Sequence, residues 1–112
     1  MSIQRWSERI WVVKLADEPA LSEDLLTVKA EAEHAAAAPD IVLDLADVRL
    51  INSSNLSQLL RLRKVMVDRE RRLRLAAMPK PVLAVFLTTG LDKVFEFSAD
   101  VPTALTQLQM KK

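Results

Sequence analysis

Short apolar segments that alternate with longer amphipathic segments are the feature that most constrains how this chain can fold. Residues 41–45 are the clearest example. The run Ile-Val-Leu-Asp-Leu lies between Pro39 and Asp47 and is typical of a strand buried on both faces of a parallel sheet. Strands that alternate with helices imply a largely parallel sheet with right-handed crossovers. The sequence therefore predicts an α/β fold, with a mixed, mainly parallel sheet and helices packed against it.

The predicted order of elements is ββαβαβαβα. The first two strands form a hairpin, because a polar step at Glu8 and Arg9 separates two runs rich in β-branched and aromatic residues. Ser22 is the expected cap of the first helix, and Gly90 is the expected stop of the third. The predicted strands cover residues 3–7, 10–16, 41–45, 73–78 and 94–97. The predicted helices begin near Ser22, Asn52, Pro81 and Asp100. The first helix is expected to end before Pro39 and the second at about Arg69.

Apolar residues at helical spacing predict which helix faces are buried. Trp6 and Trp11 are expected to pack against the sheet, since aromatic residues in strands usually bury against a neighbouring helix. The predicted stripes are Leu21, Leu25, Leu26, Val28 and Ala32 in the first helix and Leu56, Leu59, Leu60, Leu62, Val65, Met66 and Val67 in the second.

A length of 112 residues, with 50% hydrophobic and 28% charged side chains, predicts one globular domain over residues 1–112. The N-terminus has no apolar leader, and no run approaches the roughly 18 apolar residues that a membrane span needs. We therefore expect a cytoplasmic protein without direct membrane insertion.

Several kinds of functional site are excluded by composition. The chain has no Cys, and its single His34 cannot form a zinc cluster alone. Its one glycine, Gly90, excludes the dinucleotide fingerprint and the phosphate-binding P-loop, which need several glycines at fixed spacing. His34 lies in a helical stretch where a solvated position is expected, so no catalytic role is assigned to it. No cofactor is predicted.

Charge is distributed unevenly along the chain. Residues 1–48 hold ten acidic and four basic side chains, whereas residues 49–112 hold five acidic and twelve basic ones. Such asymmetry indicates a charged partner surface. A nucleic-acid site is not favoured, because the basic residues interleave with acidic ones and lack an aromatic platform. The basic residues concerned, expected on a solvated helix face and its exit, are Arg61, Arg63, Lys64, Arg69, Arg71, Arg72 and Arg74.

Residues 44–60, DLADVRLINSSNLSQLL, resemble the strand, loop and helix signature of STAS domains, the family of anti-sigma factor antagonists. Residues 87–97, LTTGLDKVFEF, are similar to a Thr-Gly-Leu-Asp-x-Val-Phe stretch common near the end of such domains. The two motifs occur in the family's order, and the resemblance covers about residues 41–108. It implies a single STAS-like domain.

The resemblance also implies a function. In the family, the serine after the motif's first residue is phosphorylated by a partner serine kinase that is also the anti-sigma factor. That residue here is Ser53, with Ser54 as the alternative acceptor. A hydroxyl at a helix N-terminus is exposed, and the first-turn N–H groups can accommodate a phosphate. The residues expected to contact the partner are Asn52, Ser53, Ser54, Asn55 and Leu56.

Two departures from the family pattern keep a second interpretation open. Asn52 replaces the usual Asp, and Asn55 replaces the usual Gly. On composition alone, the segment is an ordinary helix cap. The alternative function is therefore a STAS-type subunit of a transporter or a larger signalling assembly that is not phosphorylated.

No enzymatic activity is expected, since ATP and Mg²⁺ would belong to the kinase. A small enzyme using the carboxylates of Asp44, Asp47 and Asp92 is a further hypothesis. It is disfavoured because no partner base or metal ligand stands at a recognisable spacing. The sequence indicates no particular oligomeric state.

Overall fold

The structure, a computed structural model, describes residues 2–110, apart from the side chain of Ser2. Its five strands form one sheet in the order β1-β2-β3-β4-β5, so β3 is central. The β1–β2 pair is antiparallel, and the other three pairs are parallel. This confirms the mixed, mainly parallel sheet and the N-terminal hairpin. The strands are β1 (Ser2–Arg5), β2 (Ile10–Ala16), β3 (Asp40–Asp47), β4 (Leu73–Ala76) and β5 (Glu96–Ser98).

The helices within residues 2–110 complete the predicted order ββαβαβαβα. They are α1 (Ala20–His34), α2 (Ser53–Asp68), α3 (Lys80–Thr89) and α4 (Val101–Met110), with a 3₁₀ turn at Leu91–Lys93. Gly90 ends α3 in the left-handed conformation, with φ of 79°, as predicted for a helix stop. At the start of α4, the backbone N–H of Thr103 donates to the Asp100 carboxylate at 2.8 Å, which satisfies a first-turn donor.

The sheet is buried on both faces, and β3 shows the alternation directly. Ile41, Leu43 and Leu45 belong to the larger core, which α1, α2 and α3 complete. Val42 belongs to a smaller cluster with Ala104 and Leu108 of α4. The central strand is therefore apolar on both sides, as expected for a parallel strand covered by helices on each face.

Some predicted inward faces are wrong. Leu26 in α1 is 55% exposed, and Leu60 and Val67 in α2 are 38% and 54% exposed. Each follows a fully packed neighbour by one residue, which turns it about 100° around a 3.6-residue helix and past the edge of the core. Trp6 is 41% exposed, because it follows the end of β1 instead of lying in the sheet as Trp11 does.

Several predicted element boundaries are also wrong. β1 ends at Arg5 and not at residue 7, since the N–H of Trp6 donates to the carbonyl of Gln4 in a turn. β4 ends at Ala76 and not at residue 78, since Ala77 has a positive φ of 59°, outside the strand conformation. Ser22 lies inside α1 and is not its cap, since Pro19 occupies that position. The last strand begins at Glu96 and not at Val94. The N–H groups of Val94 and Phe95 both donate to the carbonyl of Leu91, so the 3₁₀ turn takes up donors that the strand ladder would need.

Candidate functional site

The segment with the predicted acceptor serines lies at the start of α2, after the carboxyl end of β3. Asn52 is the N-cap, and its side-chain oxygen accepts a hydrogen bond from the N–H of Asn55 at 2.8 Å. In return, the Asn55 side-chain oxygen accepts from the N–H of Asn52 at 3.0 Å. This reciprocal pair is a capping box. It accounts for the extended conformation at Asn52, from which the chain enters the helix.

Ser53 and Ser54 are both exposed in the first turn of α2. A helix leaves its first four backbone N–H groups without intrahelical partners. The capping box satisfies two of these, on Asn52 and Asn55, and no hydrogen bond within residues 2–110 takes up those of Ser53 and Ser54. Two hydroxyls and two N–H groups therefore face solvent at the positive end of the helix dipole.

Asn55 is the fully buried polar residue of this segment. Besides its part in the capping box, its amide nitrogen donates to the carboxylate of Glu18 at 2.8 Å and to the side-chain oxygen of Gln58 at 3.3 Å. The hydroxyl oxygen of Ser22 lies 3.4 Å from the same nitrogen. The side chain that replaces the family's glycine therefore points into the protein and joins the start of α2 to that of α1.

Sequence analysis missed Glu18, the acceptor at the other end of this connection. One carboxylate oxygen accepts from the N–H of Ser22 at 2.9 Å, and the other accepts from the Ser22 hydroxyl and from Asn55. The Ser22 hydroxyl, the Asn55 amide and the Ser22 N–H together lower the pKa of the Glu18 carboxyl below its ordinary value of 4.5. A carboxylate just before a proline that opens a helix was the available signal.

Asp17, also missed, holds the chain between β3 and α2. Its carboxylate oxygen accepts from the N–H of Arg49 at 2.7 Å and from that of Leu50 at 3.2 Å. Leu50 itself is 78% exposed. The approach to Ser53 is therefore an exposed loop, fixed by a carboxylate more than 30 residues earlier in the sequence.

An apolar strip runs along the outer side of α2, away from the core. Leu60 and Val67 are seven residues apart, so they lie on one side of the helix, and both are exposed. Arg61 and Lys64 are exposed between them. Leu50 adds a further exposed apolar side chain before the helix begins. Apolar and basic side chains thus share the surface that extends from the acceptor serines.

Much of the basic cluster is bound within the protein, contrary to the expectation of a solvated face. One guanidinium nitrogen of Arg69 donates to the carbonyls of Ala32 and Ala35 at 2.9 and 2.7 Å, near the end of α1. Arg74 is buried and donates to Ser98, Glu96 and the carbonyl of Phe97. The remaining contacts pair Arg63 with the carbonyl of Val94, Arg71 with Asp40, and Arg72 with Glu96 and the carbonyl of Gln107. Only Arg61 and Lys64 of the cluster fit the expected solvated face.

The carboxylates of the enzyme hypothesis take part in other structure. Lys14 lies 3.7 Å from Asp44 and 3.2 Å from Asp47. A hydrogen bond to Asp47 and the charges of Asp44 and Asp47 raise the pKa of Lys14. Asp92 belongs to the 3₁₀ turn after α3. Across residues 2–110, no cluster of three His, Cys, Asp or Glu side chains is arranged to hold a metal ion.

No helix within residues 2–110 is long and apolar enough to cross a membrane.

Comparison with protein families gives a match over residues 11–101 to the family model described as the MlaB STAS domain. No curated protein matches the chain in sequence. The matched range contains β2 from its second residue, β3 to β5 and the whole acceptor segment.

Solved structures share the fold at low sequence identity. An anti-sigma-factor antagonist (STAS) domain protein from Planctomyces limnophilus aligns with a TM-score of 0.79 at 18% identity, covering 94% of each chain. A Thermotoga maritima protein described as an anti-sigma factor antagonist gives 0.79 at 17% identity, covering 94% of this chain and 91% of that one. A serine-to-glutamate variant of RsbS from Moorella thermoacetica gives 0.78 at 17%, covering 96% and 93%. With its family match and this strand and helix order, the chain belongs to the STAS domain family.

Proposed function

We propose that this chain is a binding module of the anti-sigma factor antagonist type, switched by phosphorylation of Ser53, with Ser54 as the alternative acceptor. Its partner is an anti-sigma factor that is also a serine kinase, and it acts in the cytoplasm as a single domain over residues 1–112. The observation that carries the proposal is the exposed Ser53 hydroxyl at the start of α2, where two backbone N–H groups have no hydrogen-bond partner among residues 2–110.

The surface around Ser53 supports protein binding. Leu60 and Val67 expose apolar area on the side of α2 that the core does not use, and Leu50 exposes more in the loop before the helix. Asn52, Ser53 and Ser54 are exposed, whereas Asn55 and Leu56 are buried. The two buried residues therefore contribute by holding the segment, and the three exposed ones contact the partner directly.

The switch works through charge. A phosphate adds about −1.5 to −2 charges at neutral pH. Within a docked interface, that charge would be desolvated and would lack a designed partner, at a cost of several kcal/mol, and each 1.4 kcal/mol weakens binding about tenfold. In the free protein, the N–H groups of Ser53 and Ser54 can donate hydrogen bonds to the phosphate oxygens. The fold is therefore kept while the complex is lost.

The test is phosphorylation of the protein with a native extract and ATP, followed by fragmentation mass spectrometry. We expect one phosphoryl group on Ser53, which Ser53→Ala removes and Ser54→Ala leaves in place. In a pull-down from the same extract, Ser53→Ala should still bind the partner protein, whereas Ser53→Asp should bind it less tightly. Thr106→Asp, an exposed position on α4 at the other face of the sheet, is the matched control for added charge. Two results together would contradict the switch: the native protein never carries phosphate, and Ser53→Asp binds the partner as tightly as the unaltered chain does.

A constitutive subunit of a transporter or larger signalling assembly is the second candidate. The capping box supports it, because both family-departing residues, Asn52 and Asn55, serve to cap a helix. In that case the same surface binds a partner without modification, and Ser53→Ala and the unaltered chain behave alike in every assay.

A further inference from the structure

Two consecutive carboxylates in the loop between β2 and α1 hold both ends of the segment that carries the acceptor serines. Asp17 binds the N–H groups of Arg49 and Leu50 at 2.7 and 3.2 Å. Glu18 binds the buried amide of Asn55 at 2.8 Å. We propose that Asp17 and Glu18 are positioning residues that direct phosphorylation to Ser53 and away from Ser54. This inference rests on the function proposed above.

Asp17 is the anchor at the first end of the segment. Within the described chain, it supplies the only hydrogen bonds to the backbone N–H groups of residues 49–51. Arg49 and Leu50 are exposed, so packing does not replace those bonds. Without the carboxylate, both N–H groups would bond to water and the loop would sample other conformations.

Glu18 fixes the second end, and its chemistry is specific. Both carboxylate oxygens of Glu18 accept hydrogen bonds. One oxygen accepts from the N–H of Ser22, and the other accepts from the Ser22 hydroxyl and from the Asn55 amide. A glutamine at this position would turn its own NH₂ group toward one of those donors. Only a carboxylate accepts from both sides, so the first turn of α2 depends on the charge of a residue 37 positions earlier than Asn55.

Fixing the segment decides which hydroxyl a kinase meets. Successive residues of a helix point about 100° apart, so Ser53 and Ser54 present their hydroxyls in different directions. Phosphoryl transfer requires the acceptor oxygen in line with the leaving group, which makes the reaction sensitive to small changes in orientation. A segment held at residues 49–50 and at Asn55 keeps the two exposed hydroxyls in fixed, different directions, so a docked kinase can bring only one of them in line. In a loosened segment, either hydroxyl can reach the same position.

Hydrogen exchange of the isolated protein tests the anchoring itself. We expect Asp17→Ala to speed exchange of the Arg49 and Leu50 amides about tenfold, with exchange in β3 unchanged. Asp17→Asn keeps an acceptor oxygen and should largely restore slow exchange. Glu18→Gln should speed exchange of the Asn52 and Asn55 amides, whereas Glu8→Gln, the same charge change in the hairpin turn, should not. Exchange at these amides that stays unaltered in both Asp17→Ala and Glu18→Gln overturns the proposal.

The site of phosphorylation tests the positioning role. After exposure to the native extract and ATP, the ratio of phosphate on Ser53 to phosphate on Ser54 should fall at least about fivefold in Asp17→Ala and Glu18→Gln and recover in Asp17→Asn. A ratio, unlike a yield, does not change when a variant is merely less stable. Faster exchange with an unchanged ratio shows a structural role only and overturns the inference. Absence of phosphate from the unaltered chain overturns the proposed function and the directing role with it, while the exchange data still report the anchoring.

Discussion

Replacing Asn55 should reveal how much stability the buried connection between α1 and α2 supplies. The substitution Asn55→Ala removes half of the capping box and the bonds to Glu18 and Gln58. Loss of a cap costs about 0.5–2 kcal/mol and loss of a hydrogen bond about 0.5–1.5 kcal/mol net, so we expect the free energy of unfolding to fall by about 2–4 kcal/mol. Urea titration followed by circular dichroism measures this directly.

The variant Asn55→Asp makes the test more specific. Its carboxylate could still accept from Asn52, but its second oxygen would face the carboxylate of Glu18 and the oxygen of Gln58. At pH 7 we expect a loss at least as large as in Asn55→Ala, shrinking in acid as the new carboxyl is protonated. Ser57→Ala, exposed on the same helix, should stay within about 0.5 kcal/mol of the unaltered chain. A loss under 0.5 kcal/mol in Asn55→Ala, or an Asn55→Asp variant as stable as the unaltered chain, would refute the reasoning.

Three other perturbations test the fold and the electrostatics. Leu59→Ala should lose about 2–5 kcal/mol in urea titration because Leu59 is fully buried, whereas the half-exposed Leu60→Ala should lose clearly less; equal losses would mean that α2 is turned differently. Arg69→Ala should speed amide exchange and proteolysis at the end of α1, since it removes the donor to three carbonyls there, and unchanged protection of that end would contradict this. Because folding lowers the pKa of Glu18, the contribution of this carboxylate to stability is complete above pH 4.5 and disappears as the pH falls through the folded pKa. The difference in unfolding free energy between Glu18→Gln and the unaltered chain should therefore shrink in acid. A difference that does not change with pH would contradict the assignment.

The acceptor segment shows what a local pattern can and cannot predict. The residues Asn-Ser-Ser-Asn before an apolar stripe predicted a capped helix, because a cap uses side chains within three residues of the backbone groups they bind. The structure confirms that cap, with Asn52 in the N-cap position. The family resemblance placed Asn55 among the residues that contact the partner, whereas its side chain is fully buried. Its burial depends on Glu18, which a short sequence window does not contain.

The arginines illustrate the same difference. Interleaved charges on an amphipathic helix predict a solvated face, and Arg61 and Lys64 follow that pattern. A guanidinium has five donors but no preference for a sequence position, so its partners depend on which carbonyls the packed helices bring near. Arg69 donates to a carbonyl near the end of α1, and Arg74 donates to a carbonyl of β5. Neither contact has a signature in the residues around the arginine.

The sequence by itself determined the alternation of strands and helices, the central position of residues 41–45, the capped start of α2 and the stop at Gly90. These features depend on periodicity, on caps and on a left-handed glycine, all of which act over a few neighbouring residues. Tertiary structure alone decided that Leu26, Leu60 and Val67 face outward, because the width of the buried arc depends on how closely the neighbouring elements pack. It also placed Asp17 and Glu18 on the acceptor segment, since hydrogen bonds between residues more than 30 positions apart form only after the chain has brought the two loops together.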